Sequence, residues 1–147
     1  MQSDLEKYFG LDIRIEKRSV PAFILVRQSP VDLLGSKGGT PEYKLYSSSI
    51  YNAPGDSIRV LKNEPFDLFA RIMKGWVEGS FHKPFFDETG YKKNVDVSFS
   101  GSLVDNLELV ALKKELAIYG LGLIEEERLI DVLVIREKGN SPMGYSL

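Results

Sequence analysis

Apolar and polar residues alternate in two widely separated parts of this chain. In the first, Leu11, Ile13 and Ile15 are interleaved with Asp12, Arg14 and Glu16, the period-two pattern of a strand with one buried face. A continuous apolar run from Ala22 to Val26 follows, with Pro21 at its start, where a missing N–H does least harm. The two segments predict a hairpin. In the second part, Leu121 to Ile124 and Ile130 to Ile135 predict another, with Glu125, Glu126 and Glu127 forming its solvated turn.

Helical spacing marks the intervening and flanking segments. Ser3 or Asp4 is placed to cap a short helix running to Tyr8. Phe66, Phe69, Met73 and Trp76 fall on one face of a helix that Asn63 would cap, with Pro65 in the first turn and Gly79 at the end. Asp105 and Glu108 resemble a capping box opening a third helix, whose Leu109, Leu112, Leu116 and Tyr119 form a stripe and whose exit is Gly120. Val95, Val97 and Phe99 alternate with Asp96 and Ser98 as a further strand. Between Ser29 and Lys62 neither period holds, so residues 29–62 are expected as a long irregular insertion that hides a short strand near Ile58–Val60.

These elements predict an α+β fold with two helix-plus-β-hairpin units: αββ, then α, then βαββ. They would form one two-layer domain over residues 1–138 with an antiparallel or mixed sheet, followed by a flexible tail over 139–147. The two ends also resemble each other. "FGLDIRIEKRSVPAFILVRQ" (9–28) and "YGLGLIEEERLIDVLVIREK" (119–138) align without gaps and match at Gly10 and Gly120, Leu11 and Leu121, Glu16 and Glu126, and Arg18 and Arg128. Either duplication or convergence onto one unit accounts for such an internal repeat.

Composition narrows the function. A chain of 147 residues with 43% hydrophobic and 27% charged residues and a net charge of -2 has the balance of a globular domain and lacks the basic footprint of a nucleic-acid binder. No apolar run is long enough for a transmembrane helix, and "MQSDLEKYFG" is no signal peptide. With no cysteine, thiol catalysis and thiolate metal sites are excluded. With His82 as the single histidine, no site can draw on two imidazoles, and His82 reads as a surface or turn residue.

No catalytic, cofactor-binding or metal-binding residue is assigned from the sequence, and no cofactor is expected. "GSKGG" lacks the spacing and the strand-to-helix setting of a phosphate-binding loop. "DETG" reads as a turn in which Asp87 bonds nearby backbone and Gly90 takes a positive φ. Tyr43, Tyr46 and Tyr51, aromatic residues in an irregular polar segment, are the candidate interaction residues.

The segments "YFGLDIRIEKRSVPAFILV", "FFDETGYKKNVDVSF" and "LKKELAIYGLGLIEEERLIDVLVI" together resemble a bacterial, soil-associated family of unknown function. Its E-x-R-x-x-P hairpin, D-x-T-G turn and closing L-G-L hairpin correspond to Glu16, Arg18 and Pro21, to Asp87, Thr89 and Gly90, and to Gly120 with Leu121. Related domains lie at the C-terminal end of TlpA-like thioredoxin-fold envelope proteins, and the closing segment is similar to the N-terminal modules of secretins and TonB-dependent receptors. The resemblance implies a cell-envelope or periplasmic setting, with a thioredoxin-like domain upstream in the full-length protein. It also implies an acid just after the last strand, where this chain has Arg136. The expected function is therefore a non-catalytic module that binds a protein, peptide or cell-wall component. The alternative is a hydrolase that acts on a small or cell-wall substrate through carboxylates such as Asp87 or Asp96, and convergence of those groups in one pocket would distinguish it.

Overall fold

The computed structural model describes residues 11–45, 58–137 and 142–146. The helix expected from Ser3 to Tyr8 lies outside the described residues, as do Tyr46 and Tyr51. In chain order the elements are β1 (Leu11–Arg27), β2 (Glu42–Tyr43), β3 (Ile58–Pro65), α1 (Phe66–Phe81), β4 (Phe85–Asp87), β5 (Asn94–Ser100), α2 (Gly101–Asp105), α3 (Leu109–Ile118), β6 (Leu121–Glu137) and β7 (Pro142–Ser146). The fold is α+β, with one mixed and one antiparallel sheet.

The two expected hairpins are instead two uninterrupted strands, β1 and β6, each of 17 residues. The polar stretches that read as turns continue the strands because their side chains find partners across them. Lys17 Nζ lies 3.1 Å from Asp131, and the Ser19 hydroxyl donates to Glu127 at 3.0 Å. Glu125 is paired with Lys83. Pro21 is tolerated inside β1 because β4 pairs only with the residues that follow it, Phe23 to Leu25.

The chain divides into two compact units, residues 1–21 with 127–147, and residues 22–126. The divisions fall inside β1 and β6, at the polar stretches just described. In the first unit β7 pairs antiparallel with β6, from Val132 opposite Ser146 to Arg136 opposite Pro142. The expected flexible tail thus contains a strand. Ile13, Val132 and Val134 are buried, and Arg136 lies within β6 with its Nε 3.8 Å from Asp12.

The second unit holds the main core. Here β2, β3 and β5 form an antiparallel sheet in that order, and β4 runs parallel to β1 with Phe23 opposite Phe85. Helix α1 buries Phe66, Phe69, Met73 and Val77, while Trp76 is half-buried at the margin of the stripe. Phe69 stacks on Phe99 at 5.9 Å and Phe66 meets Tyr91 at 5.3 Å. Each such side chain contributes about 1.5–3 kcal/mol by leaving water.

Asn63 does not cap α1. A residue that precedes proline is disfavoured in the helical region, so the strand persists to Pro65, the helix begins at Phe66, and no side chain caps it. Asn63 instead occupies a bulge in β3 at φ 48°, a left-handed conformation that asparagine tolerates better than most residues. The helix also passes Gly79 and ends at Phe81, whose ring packs 5.6 Å from Phe23, with His82 taking the left-handed closing position. The expected capping box divides differently as well. Ser100 caps α2 through Leu103 N–H, Asp105 closes that helix, and Glu108 precedes α3 without a side-chain bond.

The stripe on α3 is as expected, with Leu112 and Leu116 fully buried and Leu109 and Tyr119 half-buried. So is its exit. Gly120 has φ 69°, and a Cβ there would stand 2.7 Å from that of Ser29. We expect Gly120→Ala to lower stability by roughly 2 kcal/mol or more. Gly75→Ala, at an open helical position, should raise it by about 0.5–1 kcal/mol. Urea denaturation midpoints of the two variants would check both signs.

Candidate functional site

The glycine-rich loop has an anion in its concavity, and the anion is part of the chain. Asp96, on the polar face of β5, accepts the Lys37 N–H through one carboxylate oxygen at 3.0 Å and the Asn63 N–H through the other at 2.9 Å. Ser36 hydroxyl accepts the Gly38 N–H, and Gly38 and Gly39 follow at φ 88° and 101°. "GSKGG" is therefore a cradle for an internal carboxylate, with the bulge at Asn63 as its opposite wall. Burial raises the Asp96 pKa, but the donated N–H groups of Lys37 and Asn63, with help from Ser36 and Lys62, outweigh it and hold the carboxyl below its usual range.

A second carboxylate is committed in the same way. Asp32 accepts the N–H groups of Leu34 and Gly35 at 3.0 and 2.9 Å and the Tyr91 hydroxyl at 3.0 Å. The Gly35 amide does most to hold Asp32 below its ordinary value, against its partial burial. Tyr91 is shifted the other way, to about 12, first by burial and then by its bond to Asp32. Arg27 lies over the Tyr91 ring at 5.4 Å.

A loop carbonyl and two side chains close the outer edge of β5. Leu34 carbonyl accepts the Asp96 N–H, and the Glu115 carboxylate accepts the Ser100 N–H at 2.9 Å. Between them the Tyr119 hydroxyl accepts the Ser98 N–H at 2.8 Å and lies 3.2 Å from the Ser98 carbonyl, to which it donates. One phenol thereby satisfies both outward main-chain groups of a strand residue.

Two open concavities remain among those described. The larger, about 460 Å³, runs between α1 and β4 and is lined by Asp67, Ala70, Arg71, Lys74, Phe85, Phe86 and Asp87. The smaller, about 290 Å³, lies over β2, β3 and β5 and includes Glu42, Lys62, Asp96, Ser98 and Tyr119. Asp87 and Asp96 thus line separate grooves. The Asp87 carboxylate accepts the Thr89 N–H and hydroxyl at 3.0 and 2.6 Å, and Gly90 has φ 68°, which is the turn expected of "DETG".

Of the candidate tyrosines, Tyr43 is on β2 and 38% exposed. Glu16 and Arg18 are adjacent on β1, 3.3 Å apart and exposed. His82 is exposed at the end of α1. Among the described residues no group of three or more histidines, aspartates or glutamates is positioned to hold a metal ion, and no helix is long and apolar enough to cross a membrane. The sequence reading missed Asp32, Glu78, Glu115 and Tyr119. For Asp32 a signal existed, since an aspartate three residues before a glycine commonly opens a turn. For the others there was none, because their partners are main-chain groups of other elements. Comparison of the chain with protein-family models, curated proteins and solved structures gave no match.

The titrating groups give opposite pH limits. Asp32 and Asp96, lowered in the folded state, stabilise it above the ordinary carboxylate value of 3.8, and that contribution is lost as pH falls below it. Tyr91, raised from 10.0 to about 12, stabilises the fold below 10.0, and its contribution is lost as pH rises toward 12. Thermal unfolding followed across pH should therefore decline at both ends. Tyr91→Phe should flatten the alkaline limb and, by removing one donor to Asp32, a smaller part of the acid limb, and Asp96→Asn should flatten another part of the acid limb.

Proposed function

We propose that this chain is a non-catalytic recognition module of a bacterial cell-envelope protein. The observation that carries this reading is the employment of its carboxylates. Asp32 and Asp96 are both depressed and bonded to main-chain amides, the opposite of a general acid tuned toward neutral pH. The carboxylate of Asp87 serves a turn, and it shares no groove with Asp96. The carboxylate-dependent hydrolase has no such support. What the second unit offers a partner is open relief: two shallow grooves, a short β2 edge, and the exposed ring of Tyr43 at the start of the tyrosine-bearing segment.

The envelope setting rests on the three sequence segments that resemble the soil-associated family. A signal sequence and a thioredoxin-like region upstream in the complete reading frame would support it. The equal lengths of β1 and β6 favour descent of their segments from one duplicated unit. The partner is a protein, peptide or cell-wall component engaged through Tyr43, Tyr46 and Tyr51. Titration of the purified chain with muropeptides and envelope-protein peptides, followed by tryptophan and tyrosine fluorescence, should give saturable binding. The combined Tyr43→Ala, Tyr46→Ala and Tyr51→Ala variant should bind about tenfold more weakly or worse, a loss of about 1.4 kcal/mol. Hydrolysis of any of these compounds that is abolished by Asp87→Asn would overturn the reading.

A further inference from the structure

The outer edge of β4 differs from that of β5 in having main-chain groups that no side chain closes. Pro84 carbonyl accepts the Phe23 N–H and Glu88 N–H is donated to Leu25 carbonyl, so these residues face β1 and the alternate ones, Phe85 and Asp87, face outward. Glu78 accepts the Phe85 N–H at 3.0 Å. The Phe85 carbonyl and the Asp87 N–H remain directed toward the groove beside α1, and among the described residues no strand pairs with this edge. These two groups are the acceptor and donor that one residue of an added strand requires.

The groove has an apolar floor and, among the described residues, one cation without an ion pair. Phe85 is buried, Phe86 is half-buried, and Ala70 keeps the helix side shallow. Lys74 is paired with Glu78 at 3.2 Å, the Asp87 carboxylate is bonded to Thr89, and Asp67 sits in the first turn of α1, where the helix dipole offsets its charge. Arg71 is exposed and, among the described residues, forms no ion pair. Its planar fork of donors suits a carboxylate.

We propose that the groove between α1 and β4 binds an extended peptide that carries an acidic side chain, the peptide adding as a strand to β4 and the acid pairing with Arg71. The groove volume of about 460 Å³ is within the range of small-ligand sites, and an edge the length of β4 spans about 10 Å of extended chain. This deepens the reading of the chain as a recognition module and rests on it. The tyrosine variants leave this groove unchanged, so failure here does not remove that reading.

The test is titration of the full ¹⁵N-labelled chain with a blocked Val-Glu-Val-Glu-Val peptide and with the same peptide carrying Gln or Lys in place of Glu. Saturable shifts of the Asp87 and Ala70 amides are expected with the Glu peptide, weaker ones with Gln and none with Lys. Arg71→Glu should reverse the order of Glu and Lys peptides, and Arg71→Gln should reduce Glu-peptide affinity about tenfold while leaving the rest of the spectrum in place. The proposal fails if no peptide gives saturable shifts at millimolar concentration. It fails equally if the shifts lie away from β4 and α1, or if the order of the three peptides is unchanged by Arg71→Glu.

Discussion

The arrangement of the second unit depends on a half-buried carboxylate that binds the chain's own amides. Asp96 projects from the polar face of β5 into a loop that would otherwise have no reason to close, and its oxygens tie together Lys37 in the loop and Asn63 in the neighbouring strand. The bulge at Asn63 and the glycine turns at Gly38 and Gly39 both fit around it. Asn63 in turn donates its side-chain amide to Gly39 carbonyl and accepts from Asn94, so strand, bulge and loop are joined by one polar cluster. Asp32 does the same for the next turn, through Gly35 and Tyr91. The irregular segment is thus organised by carboxylates of the chain itself that bind main-chain donors, an arrangement usually met where a protein binds an external phosphate.

The same cluster explains what could be read from the sequence. Elements whose signal is local were legible: the Phe66–Phe69–Met73 stripe, the alternation Val95–Val97–Phe99, the Asp87–Gly90 turn and the exit at Gly120. The strand near Ile58 was also legible from its β-branched residues, although it extends further than expected because proline at position 65 delays the helix. What could not be read depends on distant partners. The Glu125–Glu127 run has the composition of a turn, and Lys83 and Ser19, far away in the chain, pair with it as it runs extended. "GSKGG" lacks the pattern of a phosphate-binding loop, and the carboxylate that its Lys37 amide binds is 59 residues away. The candidate tyrosines were chosen for their setting, and the groove beside β4, formed by residues that look like ordinary helix surface, gave no local sign.

The β4 and β5 margins of the second unit represent different solutions to the same problem. Unpaired strand groups invite association with other chains, and β5 avoids it by having each outward N–H engaged. On β4 only the Phe85 amide is engaged, by Glu78, and the strand is limited to Phe85–Asp87. A margin this short recruits little by hydrogen bonding alone, so selectivity there would come from the adjacent helix surface and its free guanidinium.

The closure of β5 by Tyr119 and Glu115 bears on how the chain can drift in evolution. Viewed on the helix alone, Glu115 is a polar position beside the buried leucine stripe and Tyr119 an aromatic at its end, and both look replaceable. Each instead completes a valence of the sheet that no neighbouring strand supplies, so the register of α3 against β5 is fixed by two side chains rather than by backbone. Substitution is freer along the exposed flank of Val110, Lys113, Lys114 and Ala117, and an insertion of a single residue between Glu115 and Tyr119 would move one group out of step with the other on the strand they serve.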